Sequence, residues 1–180
     1  MNEIKILKVR QVKTPTRGTD KSAGIDFFIP DYEGDFLKKI VDKNENLDEH
    51  NFAIDYDTTE VKFYILIKKG GNILIPSGIK VIIPENYAFI SFNKSSVAFK
   101  KGLMVGACVV DEDYRGEVHI NLINASNKDV RINFGEKICQ FILVPTIYSN
   151  IKEIKEKEYN KYENTERKEG GFGSTNIKDK

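Results

Sequence analysis

The chain has 180 residues, and its 28 Lys and Arg nearly balance its 27 Asp and Glu, for a formal net charge of +1. This length suits one domain with its own buried core, and the small charge gives no basic field that would favour nucleic acid as a partner. Two cysteines and two histidines are too few for a disulfide framework or for most metal sites, which favours a reducing, cytoplasmic setting. No apolar run approaches the roughly 18 residues of a membrane span, and the N-terminus carries charges among its apolar positions. We therefore expect a soluble, unprocessed protein with no membrane partner.

The first segment of chemical interest is Ala23-Gly24-Ile25-Asp26, which places a carboxylate after a short apolar pair. A single acid after Gly is common, and these residues alone favour a structural role. The next segment, 31–60, is acidic, with ten Asp and Glu against three Lys. Its one amphipathic piece, from Phe36 to Val41, predicts a single short helix.

Residues 61–145 are dominated by short β-branched and aromatic runs that Gly, Pro and Asn interrupt, which is typical of an all-β domain. No long apolar stripe of helical period occurs there, so we expect helices to be a minor component. These runs predict strands at 61–67, 73–84, 87–92, 117–124 and 137–145, and within 117–124 polar and apolar residues also alternate.

Two polar segments interrupt these strands. Lys94-Ser95-Ser96 follows one of them and offers a cation and two hydroxyls for phosphate oxygens, although an ordinary Ser-rich loop explains the same residues. In the second, an apolar run leads directly into Asp111, followed by Glu112, Asp113, Tyr114 and Arg115. Acids at a turn are usually just solvated, but a carboxylate held at the edge of a core can act as a general base.

The tail from residue 148 is rich in Lys and Glu and ends in a Gly-rich segment, 170–175. Glycines expose backbone N–H groups that suit phosphate, but the segment is not a Walker loop. Taken alone, it favours a mobile C-terminal tail.

Taken in order, five segments resemble the five motifs of the homotrimeric dUTPase family: AGIDF (23–27), NKSS (93–96), GACVVDEDYRGEV (106–118), FGEKICQFILVP (134–145) and ERKEGGFGST (166–175). The resemblance implies an all-β fold, a distorted jelly-roll β-barrel with few short helices. It implies a barrel domain at 1–148 with an acidic insert at about 29–60, and a C-terminal arm at 149–180 that carries the fifth motif. It also implies a homotrimer whose active sites are shared between subunits.

The activity that the resemblance implies is dUTP diphosphatase. The enzyme would hydrolyse dUTP to dUMP and pyrophosphate by attack of water on the α-phosphate, which keeps dUTP out of DNA and supplies dUMP for thymidylate synthesis. Asp111 would be the catalytic base and Asp113 a structural acid. Mg2+ would be the cofactor, held mostly by the nucleotide and water, with Asp26 an outer-shell partner at most.

The resemblance also assigns the substrate contacts. The phosphates would contact Lys94, Ser95, Ser96 and Gln140, and, once the arm closes, Arg167, Ser174 and Thr175. Gly173 would be a further substrate contact. Phe172 would stack on uracil, and Tyr114 would pack on the sugar where a ribose 2′-OH would clash. Uracil would lie against Cys108, Val109, Val110 and His119.

Three positions depart from the family pattern. Lys94 stands where Arg is more frequent, and Ser96 and Cys108 stand where Gly is frequent. The insert adds roughly 30 residues, a length at which loops are often functional or disordered. We expect it to decorate the outer surface or to bind an unidentified protein partner.

Two rival interpretations stay open. A dCTP deaminase shares the fold, although its motifs differ from DEDYRGEV. A regulatory protein without activity is the second rival, against which the intact Asp111 and the complete fifth motif argue.

Overall fold

The computed structural model describes residues 3–31, 35–48, 50–60 and 62–170. It is mostly β, as predicted, with three short helices in the described residues. The strands are β1 (Lys5–Lys8), β2 (Thr16–Arg17), β3 (Ile25–Phe28), β4 (Phe52–Asp57), β5 (Lys62–Ile67), β6 (Asn72–Ile82), β7 (Tyr87–Asn93), β8 (Leu103–Val105), β9 (Val109–Val110), β10 (Glu117–Asn124), β11 (Val130–Asn133) and β12 (Lys137–Pro145). The helices are α1 (Phe36–Lys43), α2 (Ser95–Lys101) and α3 (Glu156–Tyr159).

The strands form three antiparallel sheets, ordered β1-β6-β10-β8, β11-β5-β4 and β2-β3-β12-β7-β9. Alternate side chains of β10 are buried, because successive residues of a strand point to opposite faces. In β12 the adjacent Ile138 and Cys139 are both buried, where the pairing with β3 is irregular. Phe27, Phe89 and Phe141 meet in the core with ring centroids 4.5 to 5.9 Å apart. Burial of these large side chains is the main stabilising contribution.

The five predicted strands are present, and those at 117–124 and 137–145 have the predicted bounds. The prediction of a loop at Lys94-Ser95-Ser96 was wrong. Lys94 is the N-cap of α2, and the two serines form its first turn. Serine is a weak helix former but common in a first turn, and Gly102, with a φ of 67°, ends the helix at its C-cap.

The acidic composition of the insert predicted a segment on the outer surface, but part of the insert packs into the core. Phe36 and Ile40, one turn apart on α1, are 1% and 0% exposed and belong to the hydrophobic core. The rest of the insert supplies β4, which pairs with β5 from Phe52 opposite Ile67 to Asp57 opposite Lys62. Most of the acids that the structure describes in the insert are exposed, so the acidic composition gave no indication of the buried face.

Ion pairs connect β4 to β11. The Arg131 guanidinium contacts the carboxylates of Asp57, at 2.5 Å, and Glu60, at 2.9 Å, and it lies over the Tyr64 ring. Hydrogen bonds from Thr59 and Arg131 lower the pKa of Asp57. These contacts are partly exposed, so each stabilises the sheet only modestly.

The chain divides into two compact units, 1–147 and 148–180. The second contains α3, which has no buried residue. Across the described ranges, none of the helices has the length and apolar character needed to cross a membrane.

If α1 is part of the core, Ile40→Ala should lower the free energy of unfolding by about 2–5 kcal/mol, because it leaves a cavity. The neighbouring Val41 is 52% exposed, so Val41→Ala should change it by less than about 0.5 kcal/mol. Urea unfolding of both variants measures the difference. Equal effects would mean that α1 is not packed on the barrel.

Candidate active site

A short hairpin strand forms one wall of the candidate site. In β9, Val109 pairs with Ile90 and Val110 with Phe89 of β7. The Ser91 N–H donates to the Cys108 carbonyl at 2.8 Å. These bonds hold the segment before Asp111 against the sheet.

Beside this strand lies a pocket of about 190 Å³. It brings together six residues that the sequence singled out: Cys108, Val109, Val110, Asp111, Tyr114 and His119. Leu74, Ala107 and Val118 complete the lining. Sequence reasoning missed these three, because a small or apolar residue in a strand carries no signal that distinguishes a pocket wall from core.

Asp111 begins the turn at one edge of this pocket. Its carbonyl accepts the Tyr114 N–H at 3.1 Å, and the carboxylate of Glu112 accepts the Asn86 N–H at 2.6 Å. The Arg115 guanidinium donates to the carbonyl of Glu112 at 2.7 Å. Glu112 thus connects the turn to the segment between β6 and β7. The Asp111 carboxylate is exposed to solvent, and the hydrogen bonds of the turn hold its backbone in place.

Tyr114 is fixed at both ends of its side chain. Its hydroxyl donates to the Glu117 carbonyl at 2.9 Å. Its ring lies over Gly116, where an added Cβ would stand 2.2 Å from the hydroxyl oxygen. Glycine at 116 is therefore required for the ring to occupy this position, and the ring forms part of the pocket wall.

Glu117 is a partly buried acid that the sequence did not single out. Its two carboxylate oxygens accept from Arg10 Nε, at 3.0 Å, and Nη2, at 2.6 Å, and one of them also accepts the Gly78 N–H at 2.6 Å. The pairing of β10 with β6 is irregular between Glu117 and His119, as at a β-bulge. Such an irregularity re-aims the side chains that follow it.

His119 lines the pocket, and its imidazole is half-buried. Burial lowers its pKa, and a hydrogen bond with the Glu117 backbone together with the Glu117 charge only partly opposes this. Its Nε2 is buried and has no hydrogen-bond partner among the described residues. A buried ring nitrogen without a partner costs free energy, so His119 is a candidate contact for a bound molecule or a water.

A second cluster surrounds Asp26, which is 4% exposed. Lys94 Nζ lies 2.5 Å from one carboxylate oxygen and Lys137 Nζ 2.8 Å from the other. Burial opposes ionisation of Asp26, but the hydrogen bonds from Lys137 and Lys94 outweigh it, and its pKa is lowered. The anion therefore holds two ammonium groups side by side.

Lys137 was not among the predicted site residues. It begins β12, whose register against β3 places Gln140 opposite Asp26. This proximity depends on strand pairing, which the sequence alone does not reveal.

Gln140 joins this cluster through close packing. An added Cβ on Gly24 would lie 2.0 Å from Gln140 Oε1, so the first motif must have glycine there. Gln140 Nε2 donates to the Asn93 carbonyl at 2.9 Å. Ser95 and Ser96 are exposed at the start of α2, directly after Lys94. The structure thus groups the predicted phosphate contacts of the barrel.

The pocket and the Asp26 cluster are separate within one chain. Val110 pairs with Phe89 of β7, and Lys94, which follows the last residue of β7, is five residues beyond Phe89, roughly 16 Å away at the usual strand rise. Asp111 follows Val110 in the direction away from Lys94. The two groups therefore cannot contact adjacent atoms of one small ligand within a single copy.

The remaining predicted contacts lie in the second unit or outside the described residues. Arg167 Nε donates to the Gly170 carbonyl at 2.8 Å. Phe172, Gly173, Ser174 and Thr175 lie outside the described residues, and their roles stay predictions.

Comparison with known proteins bears on the family. The sequence model of the dUTPase family matches residues 51–176. The chain belongs to the dUTPase family. The deoxyuridine 5'-triphosphate nucleotidohydrolase of Hydrogenobaculum sp. is 39% identical over 116 residues, which cover 63% of this chain and 77% of the relative. That of Finegoldia magna is 36% identical over 143 residues, 76% of this chain and 96% of the relative.

Solved dUTPase structures share the fold. The dUTPase of Staphylococcus bacteriophage 80alpha with dUPNHPP superposes with a TM-score of 0.69 at 21% identity, covering 97% of this chain and 98% of that one. A mutant dUTPase from phage phi11 of S. aureus, for which coordination of a structural Mg(II) ion is described, has a TM-score of 0.62 at 18% identity, covering 87% and 99%. The predicted dUTPase-like all-β fold is confirmed.

The two cysteines provide a test of the pocket. Burial raises the pKa of Cys139 to about 12, whereas Cys108 is exposed and lines the pocket. Iodoacetamide at about pH 8 should alkylate Cys108 and spare Cys139, since the thiolate is the reactive form. Saturating dUMP should slow labelling of Cys108, as followed by mass spectrometry, whereas dUMP without effect would place the nucleotide elsewhere.

Proposed function

We propose that this chain hydrolyses dUTP to dUMP and pyrophosphate, with Asp111 as the base that activates water. The observation that carries the proposal is the pocket that joins the hairpin, Tyr114 and His119 to a braced carboxylate at its edge. Membership of the dUTPase family supports the same reaction.

In the proposed reaction, Asp111 accepts a proton from a water molecule as the water oxygen bonds to the α-phosphorus. The bond between that phosphorus and the oxygen bridging to the β-phosphorus breaks, and pyrophosphate leaves with the bonding electrons. Asp111 then returns its proton to solvent. Such a reaction requires mainly positioning and charge from the protein.

Charge would come from the Asp26 cluster. Lys94 is held by Asp26 with its ammonium at a defined place, and Ser95, Ser96 and Gln140 adjoin it. Lysine lacks the two-pronged geometry of arginine, and the contact with Asp26 fixes where its ammonium lies. We add Lys137 as a second cation next to the phosphates, and assign Arg167, Gly173, Ser174 and Thr175 to the arm.

Nucleoside selection would occur in the pocket. Uracil would contact the backbone of Cys108, Val109 and Val110 and lie near His119, with Phe172 stacked on its open face. Cytosine would leave buried donors and acceptors unpaired, which can reduce kcat/KM by about 10⁴ or more. Tyr114 would occupy the space that a 2′-OH needs.

The donor set fits Mg2+ that is bound mainly by the substrate. Within the ranges that the structure describes, no three His, Cys, Asp or Glu side chains converge as a metal site, and lysines contact both oxygens of Asp26. Mg2+ usually keeps several waters and binds substrate phosphates with few protein carboxylates. When bound, it would neutralise charge on the triphosphate. Asp26 as an outer-shell partner stays a prediction.

We further propose a homotrimer with shared active sites. The separation of roughly 16 Å along β7 supports it, because base and phosphate cluster must then come from different copies. Exposed apolar side chains on the β1-β6-β10-β8 sheet supply surface for such contacts: Leu7, Ile82, Met104 and Ile123. Cytoplasmic location and a protein partner for the insert stay predictions.

The reaction is tested by measuring pyrophosphate release from dUTP, dCTP, dTTP and UTP with Mg2+. Wild-type protein should act on dUTP alone at a high rate, and Asp111→Asn should lower kcat by about 100-fold or more, as expected on loss of a general base. Asp113→Asn, a neighbouring carboxylate, is the matched control and should retain most activity.

Full activity of the Asp111 variant would remove Asp111 as the base. Ammonia release from dCTP would support the deaminase instead, and no turnover of any nucleotide would support the regulatory protein.

A further inference from the structure

We infer that helix α1 of the insert, together with Arg10 and Glu117, holds the wall of the nucleoside pocket in place and thereby sets the preference for deoxyribose over ribose. The inference rests on the proposed function of the pocket. It assigns the insert a positioning role in the reaction through two separate routes of contact.

The first route starts at the N-terminal end of α1. The Arg10 guanidinium lies over the ring of Phe36, 5.1 Å from its centroid. The side chains of Arg10 and Glu117 are only 10% and 16% exposed, and both carboxylate oxygens of Glu117 accept from Arg10. A planar guanidinium confined between an aromatic face and a carboxylate has little freedom to move. Phe36 therefore fixes Arg10, and Arg10 fixes Glu117.

Glu117 passes this restraint to the pocket through its backbone. Its carboxylate also accepts the Gly78 N–H of β6 at 2.6 Å, which anchors the residue where the β10–β6 pairing is irregular. Its carbonyl accepts the Tyr114 hydroxyl at 2.9 Å. Displacement of Glu117 would move the acceptor that orients Tyr114 in the pocket wall.

The second route starts at the C-terminal end of α1. Asn44, the C-cap residue, is buried, and its side-chain amide donates to the Leu74 carbonyl and accepts the Leu74 N–H, both at 2.8 Å. Leu74 lines the pocket and pairs with Asn121 of β10. The Asn121 side chain in turn accepts the Ala107 N–H of the opposite wall at 3.1 Å. Both ends of α1 are thus connected to the pocket.

Sugar selection is the property that such support should affect most. Ribose differs from deoxyribose by one hydroxyl, and an apolar wall rejects an added hydroxyl only where the wall cannot yield. Tyr114 is 40% exposed, and its hydroxyl donates to the Glu117 carbonyl. This bond restrains the ring in addition to its packing over Gly116, and the bond depends on Arg10 and α1.

The test compares Arg10→Lys with Arg131→Lys in the full-length protein. Each replacement keeps the charge and removes the two-pronged guanidinium. Arg131 also joins the barrel to the insert, through Asp57 and Glu60, but it does not line the pocket. For each variant, kcat/KM is measured with dUTP and UTP, and the thermal midpoint is recorded.

Arg10→Lys should reduce the dUTP-to-UTP ratio of kcat/KM by about ten-fold or more, since small displacements in a site have large effects. Arg131→Lys should lower the thermal midpoint and leave the ratio unchanged. Phe36→Leu, which keeps an apolar side chain but removes the aromatic face, should reduce the ratio in the same direction.

An unchanged ratio in both Arg10→Lys and Phe36→Leu would overturn the inference, as would an equal fall in Arg131→Lys. Wild-type protein without dUTP hydrolysis would instead contradict the proposed function. Calorimetric affinities for dUMP and UMP in the same variants would then still test the wall, because they need no turnover.

Discussion

The fixed position of Glu117 is the constraint on which the pocket depends. Its carboxylate is paired with Arg10 and its carbonyl with Tyr114, so one residue joins the N-terminal segment, β6, β10 and the turn after Asp111. An acid this deeply placed requires a partner of opposite charge. Removal of Arg10 would leave that charge unpaired and the Tyr114 acceptor free to shift. Phe36 of the insert contacts Arg10, and Arg10 pairs with Glu117. Through these contacts the acidic, mostly exposed insert is connected to the pocket.

A second constraint is that the Asp26 cluster and the Asp111 carboxylate lie at different places in the subunit. The Asp26 anion holds Lys94 and Lys137 together at one end of β7, whereas Asp111 lies beyond the other end of the β7–β9 pairing. Within one chain, the Asp111 carboxylate stands at the edge of the pocket, and the Lys94 and Lys137 ammonium groups lie away from it along the sheet. In the proposed trimer, association of the copies would complete the site. Folding of each subunit would place its own groups, and assembly would bring Asp111 of one copy near Lys94 of another.

Much of the fold could be predicted from the sequence, because β5 and β12 are short β-branched and aromatic runs, β10 alternates polar and apolar residues, and Gly, Pro and Asn separate the strands. The helical piece at Phe36 was predicted, but its burial was not, since acidic composition indicates a solvated segment and only one narrow face of α1 is apolar. Residues such as Asp111 and Lys94 were found through their motifs. The Arg10–Glu117 pair spans 107 positions of sequence, and Lys137 meets Asp26 through strand register. Neither proximity has a local signal.

The most direct test of the central claim is activity in mixed assemblies of two inactive variants, Asp111→Asn and Lys94→Ala. Co-expressed with different tags and purified through both, they should form trimers in which some sites combine an intact Asp111 from one copy with an intact Lys94 from another. In a closed three-fold assembly each mixed trimer has one complete site of three, so selection through both tags predicts recovery of about one third of wild-type kcat per chain. If the mixed assemblies were as inactive as each variant alone, base and phosphate cluster would belong to the same chain, and the account of a shared dUTP-hydrolysing site would be contradicted.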